Sequence, residues 1–292
     1  MRHFSGTFKG FGGLDLYYQS WHPETQAQAA VVMVHGLGGH GALFEIAVQD
    51  LIAQYYEVYT FDLRGHGRSP GQRGHIMIWQ EFRDDLHAFL QHVSHERSGC
   101  PCFLWGHSLG GTIVLDYALR FPENLQGIIV TAPALGKVHI SPFKLALGRL
   151  LSNVFPSFSL KLGIRGPSNV PDPNLVTAYL NDPLRHEYGS ARLATEFLTT
   201  VNWISQNTAH LKVPLLILHG GADEVAHPDA SRTFFQQVMF PDKEHHEYPG
   251  YYHDLYVDIS YQTIFLDLRN WLERHLKEAG TCQLPSFLRA IN

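Results

Sequence analysis

Residues 106–111 read Gly-His-Ser-Leu-Gly-Gly, directly after the apolar run Pro101-Cys102-Phe103-Leu104-Trp105. A serine in the pattern G-x-S-x-G at a strand-to-helix turn sits on a tight elbow, with its hydroxyl exposed at the edge of a sheet. The glycines leave room for that backbone, because no side chain collides with the neighbouring strand and helix. A serine hydroxyl is a weak nucleophile and needs a base to take its proton and an acid to orient the base. With this elbow the acid and then the base follow the serine along the chain.

Ser108 is the candidate nucleophile. The acid should follow a late strand, and Leu215–Leu218 is such a strand, with the exit loop His219-Gly220-Gly221-Ala222-Asp223. Asp223 is the candidate acid, with Glu224 beside it as the second choice. The base should lie in the loop after the last strand, and Tyr248-Pro249-Gly250-Tyr251-Tyr252-His253-Asp254 supplies His253. The chain has 19 histidines, so most must do something else. His245 and His246 fall inside a predicted strand, His227 follows the acid loop, and His107 belongs to the elbow and should turn inward. Acyl transfer also requires donors for the oxyanion, one from the residue after the nucleophile and one from an earlier loop. Those are the backbone N–H groups of Leu109 and of Leu37 in His35-Gly36-Leu37-Gly38-Gly39, with His35 bracing that loop.

A competing reading starts from the same loop. Gly36-Leu37-Gly38-Gly39-His40-Gly41 also spells G-x-G-x-x-G, and Asp62 follows about 20 residues on, as in a dinucleotide-binding fingerprint. That reading leaves Ser108, Asp223 and His253 as coincidences, so acyl transfer is preferred.

The elements that must position these residues are legible as alternating patterns. Residues 4–21 read as two short strands around Gly10-Phe11-Gly12-Gly13. Strands follow at Ala30–Val34, Val58–Phe61, Cys102–Trp105, Ile128–Thr131, Leu215–Leu218 and Glu244–Tyr248. Helical spacing covers 42–54, 77–95, 109–121 and 255–277. Strands that are continuously apolar and alternate with helices imply a mostly parallel central sheet with helices on both faces, an α/β fold. Residues 136–210 break the pattern, with no clear buried strand. The chain therefore divides into a core, 1–135 and 211–292, and a mostly helical cap (lid) insertion, 136–210, over the sheet edge where ligands bind.

The chain has 292 residues, 45% of them apolar, enough for one large α/β domain with an insertion. A net charge of -5 argues against a nucleic-acid partner. Cys100, Cys102 and Cys282 are too few and too sparsely spaced for a disulfide framework or a metal knuckle. The N-terminal residues have no apolar signal core, and no stretch approaches the roughly 20 apolar residues of a membrane span. The expected compartment is the cytoplasm, with contact peripheral to a membrane. The chemistry calls for no cofactor and no metal.

With these residues assembled, the chain resembles the α/β-hydrolase superfamily, and within it the monoacylglycerol lipase and lysophospholipase branch. The resemblance rests on residues 35–40, Phe61–Ser69 with its Arg64-Gly65-His66-Gly67-Arg68-Ser69, residues 106–111, 216–223 and 248–253, and Asn181-Asp182-Pro183-Leu184 in the insertion. It covers nearly all of the chain to about residue 277. It implies Ser108, Asp223 and His253 as catalytic triad, Leu37 and Leu109 as oxyanion hole, and a cap over an apolar acyl tunnel. The implied activity is a serine hydrolase cleaving monoacylglycerol-like or lysophospholipid-like lipids through an acyl-enzyme. The chain departs from animal monoacylglycerol lipases past the acid, where Ala226-His227 stands in place of a cysteine. Other acyl hydrolases (carboxylesterases, thioesterases, amide-cleaving relatives) share the triad, and a ligand receptor can retain it.

Within the cap, residues 137–166 carry Lys137, Lys144, Arg149, Lys161 and Arg165 and no acid. Phe143, Leu147, Leu150, Leu151 and Val154 share one helical face. Such a face either packs on the core or docks on an anionic lipid surface. The tail from Glu278 has no assigned role.

Overall fold

The computed structural model describes residues 1–97, 99–136, 142–163, 173–258 and 260–276. Lys137, Arg165 and the tail from Glu278 lie outside the described residues, and so do the side chains of Phe143 and Lys144. Among the described residues the strands are β1 (Arg2–Lys9), β2 (Asp15–His22), β3 (Ala29–Val34), β4 (Tyr56–Phe61), β5 (Cys102–His107), β6 (Gly127–Thr131), β7 (Ser159–Lys161), β8 (Tyr188–Ser190), β9 (Leu215–Gly220) and β10 (Lys243–Tyr248). The helices are α1 (Glu45–Ala53), α2 (Gln80–Glu96), α3 (Leu109–Arg120), α4 (Pro142–Val154), α5 (Pro173–Asn181), α6 (Ala191–Gln206), α7 (Pro228–Gln237) and α8 (Tyr261–Leu276).

Eight strands form one sheet in the order β1-β2-β4-β3-β5-β6-β9-β10. The first two pairings, β1 with β2 and β2 with β4, are antiparallel, and the rest are parallel. Alternate residues of β3 explain why the run is continuously apolar. Ala30, Val32 and Val34 enter one core with α2 and α3, while Ala29, Val31 and Met33 enter the other with α1 and α8. A strand covered on both faces has no polar face to show.

Three local features differ from the sequence expectation. The 42–54 helix begins as a 3-10 turn over Gly41–Phe44, because the Gly41 N–H is drawn to Asp62 Oδ1 at 2.8 Å. The terminal helix starts at Tyr261, after a separate 3-10 turn at Leu255–Val257. Asp258 is buried and extended there, and its carboxylate accepts the Tyr252 N–H at 3.3 Å, which ties the break to the His253 loop. Cys100 is disulfide-bonded, although the cysteine count argued against a disulfide framework, while Cys102 is a free thiol; three cysteines still allow one bridge.

The segment between β6 and β9 contains α4, α5 and α6 and also a small antiparallel pair, β7 with β8. Ser190 caps α6 by accepting the Leu193 N–H at 3.1 Å. The segment is hooked to the rest of the chain at several points. The Ser190 N–H donates to the Gly74 carbonyl at 2.9 Å, and the His186 N–H to the Gly38 carbonyl at 3.0 Å. His40 Nε2 donates to Asp182 Oδ2 at 2.7 Å. No helix of the described residues is long and apolar enough to cross a membrane.

A very close backbone approach lies beneath the elbow. A Cβ on Gly110 would lie 2.0 Å from the Val34 carbonyl oxygen, and one on Gly106 would lie 2.3 Å from the Gly110 carbonyl oxygen. Gly110→Ala therefore forces α3 away from β3. It should lower stability by about 2 kcal/mol or more, read as a shifted urea midpoint. An unchanged midpoint would show that the helix can retreat at no cost.

Candidate active site

The turn from β5 into α3 places Ser108 at φ 53° and ψ -118°, a conformation that side-chain-bearing residues seldom adopt. Backbone hydrogen bonds hold it there. The Ser108 N–H donates to the Thr131 carbonyl at 3.0 Å, and its carbonyl accepts from Thr112 at 3.2 Å and Ala134 at 3.1 Å.

The structure brings Ser108, His253 and Asp223 together from three loops at the C-terminal ends of β5, β10 and β9. His253 Nδ1 lies 2.7 Å from Asp223 Oδ2, and Nε2 lies 3.0 Å from Ser108 Oγ. A carboxylate only accepts, so Nδ1 carries the proton and Nε2 is left to accept from the serine hydroxyl. Asp223 is buried, whereas Glu224, the second-choice acid, is exposed. Asp223 Oδ1 accepts the N–H groups of Val225 at 2.8 Å and Ala226 at 2.9 Å. Burial opposes ionisation of Asp223, but hydrogen bonds from His219 and His253 outweigh it and hold the carboxyl well below the usual range. Burial likewise disfavours the His253 imidazolium, yet the Asp223 hydrogen bond and the charges of Asp254 and Asp223 raise its pKa above the ordinary value.

Leu37 and Leu109 both line the cavity at Ser108. Among the described residues neither N–H donates to a protein acceptor, and Leu109 is the first residue of α3, where helix N–H groups lack intrahelical partners. The opposite end of each peptide is held. The Gly36 carbonyl, which shares a peptide plane with the Leu37 N–H, accepts from His35 Nδ1 at 2.8 Å and from the Gly39 N–H at 3.1 Å. The Ser108 carbonyl, which shares a plane with the Leu109 N–H, is held by Thr112 and Ala134 as above. In a trans peptide the N–H points away from the C=O, so these anchors aim both donors. His35 also accepts the Leu63 N–H on Nε2 at 2.9 Å, and burial drives its pKa down to about 4. It is neutral and braces the loop.

The remaining histidines named from the sequence separate by place. His245 and His246 lie in β10, and His227 is exposed at the cavity mouth. His107 turns inward and is buried. Its Nδ1 accepts from Thr131 Oγ1 at 3.2 Å, and its Nε2 faces Asp254 Oδ1 at 3.3 Å. The dinucleotide alternative loses its acid: Asp62 is buried, with Oδ1 on the Gly41 N–H and Oδ2 on the Arg68 N–H at 2.8 Å.

Two residues near the triad were not singled out in the sequence. His219 is fully buried at the end of β9, with Nε2 3.2 Å from Asp223 Oδ2 and 2.7 Å from the Ala226 carbonyl. Asp254 pairs with His107, whose ring lies 4.9 Å from that of His253. The position of Asp254, directly after the base, was the available signal; His219 offered only its place at a strand end.

A cavity of about 1180 Å³ opens over Ser108. Its wall beyond the serine is largely apolar, including Leu135, Leu193, Phe197, Val201, Ile204 and Phe234. α6 of the inserted segment and α7 of the core supply much of that wall.

A family model described as serine aminopeptidase, S33, matches residues 25–260. A monoacylglycerol lipase of Mycolicibacterium smegmatis is 30% identical, over 92% of this chain and 97% of that protein. The crystal structure of Paleococcus ferrophilus monoacylglycerol lipase superposes with a TM-score of 0.78 at 30% identity, covering 94% of this chain and 100% of that one. A soluble variant of monoglyceride lipase from Saccharomyces cerevisiae, solved with a substrate analog, gives 0.80 at 25% identity, covering 94% and 95%.

The raised pKa of His253 has a kinetic consequence. Proton abstraction needs the neutral imidazole, so kcat/KM for ester cleavage should fall as pH drops through that pKa, with its acid limb above about 6.5. Asp223→Asn should move the limb to lower pH and reduce kcat by about 10⁴-fold. A limb that stays in place in a pH–rate profile of the variant would show that Asp223 does not set the imidazole pKa.

Proposed function

The chain belongs to the serine aminopeptidase S33 family of α/β hydrolases, and from that premise we propose that it is a serine hydrolase of lipid esters. Its substrates are monoacylglycerol-like or lysophospholipid-like lipids, cleaved through an acyl-enzyme intermediate. The observation that carries the reading is the Ser108–His253–Asp223 hydrogen-bond chain at the floor of a largely apolar cavity. The similarity to monoacylglycerol lipases over more than nine-tenths of the chain supports the substrate class.

In the proposed reaction His253 Nε2 takes the Ser108 proton as Oγ attacks the ester carbonyl. Asp223 holds the proton on Nδ1 and stabilises the imidazolium. The Leu37 and Leu109 N–H groups receive the oxyanion, each worth about 3 kcal/mol in the transition state. His253 then protonates the departing alcohol, and water resolves the acyl-enzyme by the same route. Residues 136–210 act as the cap, with the acyl chain between α6 and α7.

The cap also makes transient contact with a lipid surface. Leu147, Leu150 (59% exposed), Val154, Phe155 (63%), Phe158 and Leu160 present apolar side chains to solvent, and Arg149 and Lys161 are exposed among them. An outward apolar face with interleaved cations suits an anionic membrane. An ester hydrolase that takes its substrate from a bilayer would use such a face.

Ser108→Ala should abolish turnover of a medium-chain monoacylglycerol by several orders of magnitude in a pH-stat assay, and retained turnover would identify a different nucleophile. Wild-type preference for a short nitrophenyl ester or an aminoacyl amide over the monoacylglycerol would remove the lipid assignment. Leu150→Ser combined with Phe155→Ser should reduce co-sedimentation with anionic liposomes at any salt. Arg149→Gln with Lys161→Gln should reduce it mainly at low salt. Unaltered sedimentation of both variants would sink the docking role and leave the esterase assignment standing.

A further inference from the structure

The triad acts on any acyl ester, so selection among head groups must come from groups around it, and the charges on the cavity wall are informative. Asp254 lines the cavity beside Ser108 and His253, and its side chain is 11% exposed. Its described contacts converge on Oδ1, where His107 Nε2 lies at 3.3 Å and the Tyr256 hydroxyl at 3.5 Å. Among the described residues Oδ2 has no donor. Burial pushes the carboxyl towards protonation, but the His107 hydrogen bond and the neighbouring His107, His253 and Arg185 outweigh it, so the group is ionised.

The second observation concerns the rest of the wall. Asp229 also lines the cavity, paired with Arg232 at 2.6 Å, and among the described residues no lysine or arginine lines it. The cation that acts on Asp254 from outside, Arg185, is committed to Tyr179. Its guanidinium lies 3.5 Å from the centre of that ring, and Nη1 donates to the Tyr179 carbonyl at 3.0 Å. An anionic head group entering here would meet the Asp254 carboxylate and, among the described residues, no lysine or arginine on the wall. A hydroxyl, by contrast, donates directly to a carboxylate.

We propose that Asp254 is a specificity-determining residue that accepts a hydroxyl of an uncharged polyol head group and excludes head groups bearing phosphate. This rests on the ester-hydrolase reading above and narrows it to monoacylglycerol-like substrates. Like charges brought together in a partly dehydrated site repel strongly. A hydroxyl lost to Asp254→Asn still finds an amide oxygen to accept it. The substitution therefore relieves repulsion more than it weakens polyol binding. Asp254 also bears on His253 through charge, so its removal changes the chemical step; that change is common to all substrates and cancels in a ratio.

The test uses three esters of one acyl chain: 1-lauroylglycerol, 1-lauroylglycerol 3-phosphate and 4-nitrophenyl laurate. In the wild type kcat/KM for the glycerol ester should exceed that for its phosphate by about tenfold or more. Asp254→Asn should shrink that ratio at least severalfold, and Asp254→Glu, which keeps the charge, should retain most of it. A ratio near one in the wild type, or one unchanged in Asp254→Asn while nitrophenyl laurate is still cleaved, overturns the proposal. If neither variant folds, the wild type decides alone. Dodecylglycerol ether should inhibit nitrophenyl laurate cleavage about tenfold more tightly than the phosphate of that ether, and equal inhibition overturns the proposal. Cleavage of nitrophenyl laurate with no turnover of either glycerol ester overturns the parent lipid reading itself, a result distinct from any change in the ratio.

Discussion

The site depends on the backbone crossing where β5 turns into α3 beneath the end of β3. Gly106, Gly110 and the Val34 carbonyl are so close there that a single added carbon would collide. That proximity makes the turn abrupt and drives Ser108 to a positive φ. Such a conformation costs of order 1–3 kcal/mol, and it persists because Thr131, Thr112 and Ala134 hold both ends of the residue. Three consequences follow from one turn. The hydroxyl stands clear of its own helix, the first N–H of α3 is left without an intrahelical partner, and Gly36 approaches to a point where its Cβ would lie 3.0 Å from that of Ser108. The last contact brings the Leu37 peptide to the serine, so the candidate nucleophile and both candidate oxyanion donors share one steric origin.

Charge is arranged around that turn in two histidine–carboxylate pairs. Asp223 is buried and would be costly to ionise alone. It receives His253 and His219 on one oxygen and two backbone N–H groups on the other. Asp254 and His107 form the second pair, packed against the first through the rings of His107 and His253. Both carboxylates favour protonation of His253, while burial and the adjacent His253 lower the pKa of His107 despite Asp254. Two imidazoles 4.9 Å apart thus differ in proton affinity. Only the one facing Ser108 Oγ has the raised value that suits a proton acceptor.

The loop that carries Leu37 also secures the inserted segment. The Gly38 carbonyl takes the His186 N–H, and His40 holds Asp182. The rings of His35, His66 and His186 continue the connection, at 5.4 and 4.6 Å between successive centres. Burial lowers the pKa of all three, so they pack as neutral rings rather than repelling as cations. The candidate oxyanion loop and the segment above it therefore share these hydrogen bonds.

What could be read in advance follows from how local each cause is. The central strands were legible because both faces of β3, β5, β6 and β9 are buried, which leaves an apolar run in the chain. Ser108, Asp223 and His253 could be nominated because each follows a strand in a fixed order. His219 could not, because its importance lies in an Asp223 contact made only when β9 folds back on its own exit loop. β7 and β8 escaped because each is only three residues long, too short to leave a periodic signature. The apolar stripe on α4 shows the limit most clearly. Its spacing correctly marks a helix with an apolar side, and core packing would be the ordinary use of that side. Yet Leu147, Leu150 and Val154 face solvent, while it is the hydroxyl of Ser152 that turns inward to Thr195 at 2.7 Å. Periodicity reports that a face exists and is silent on what lies against it.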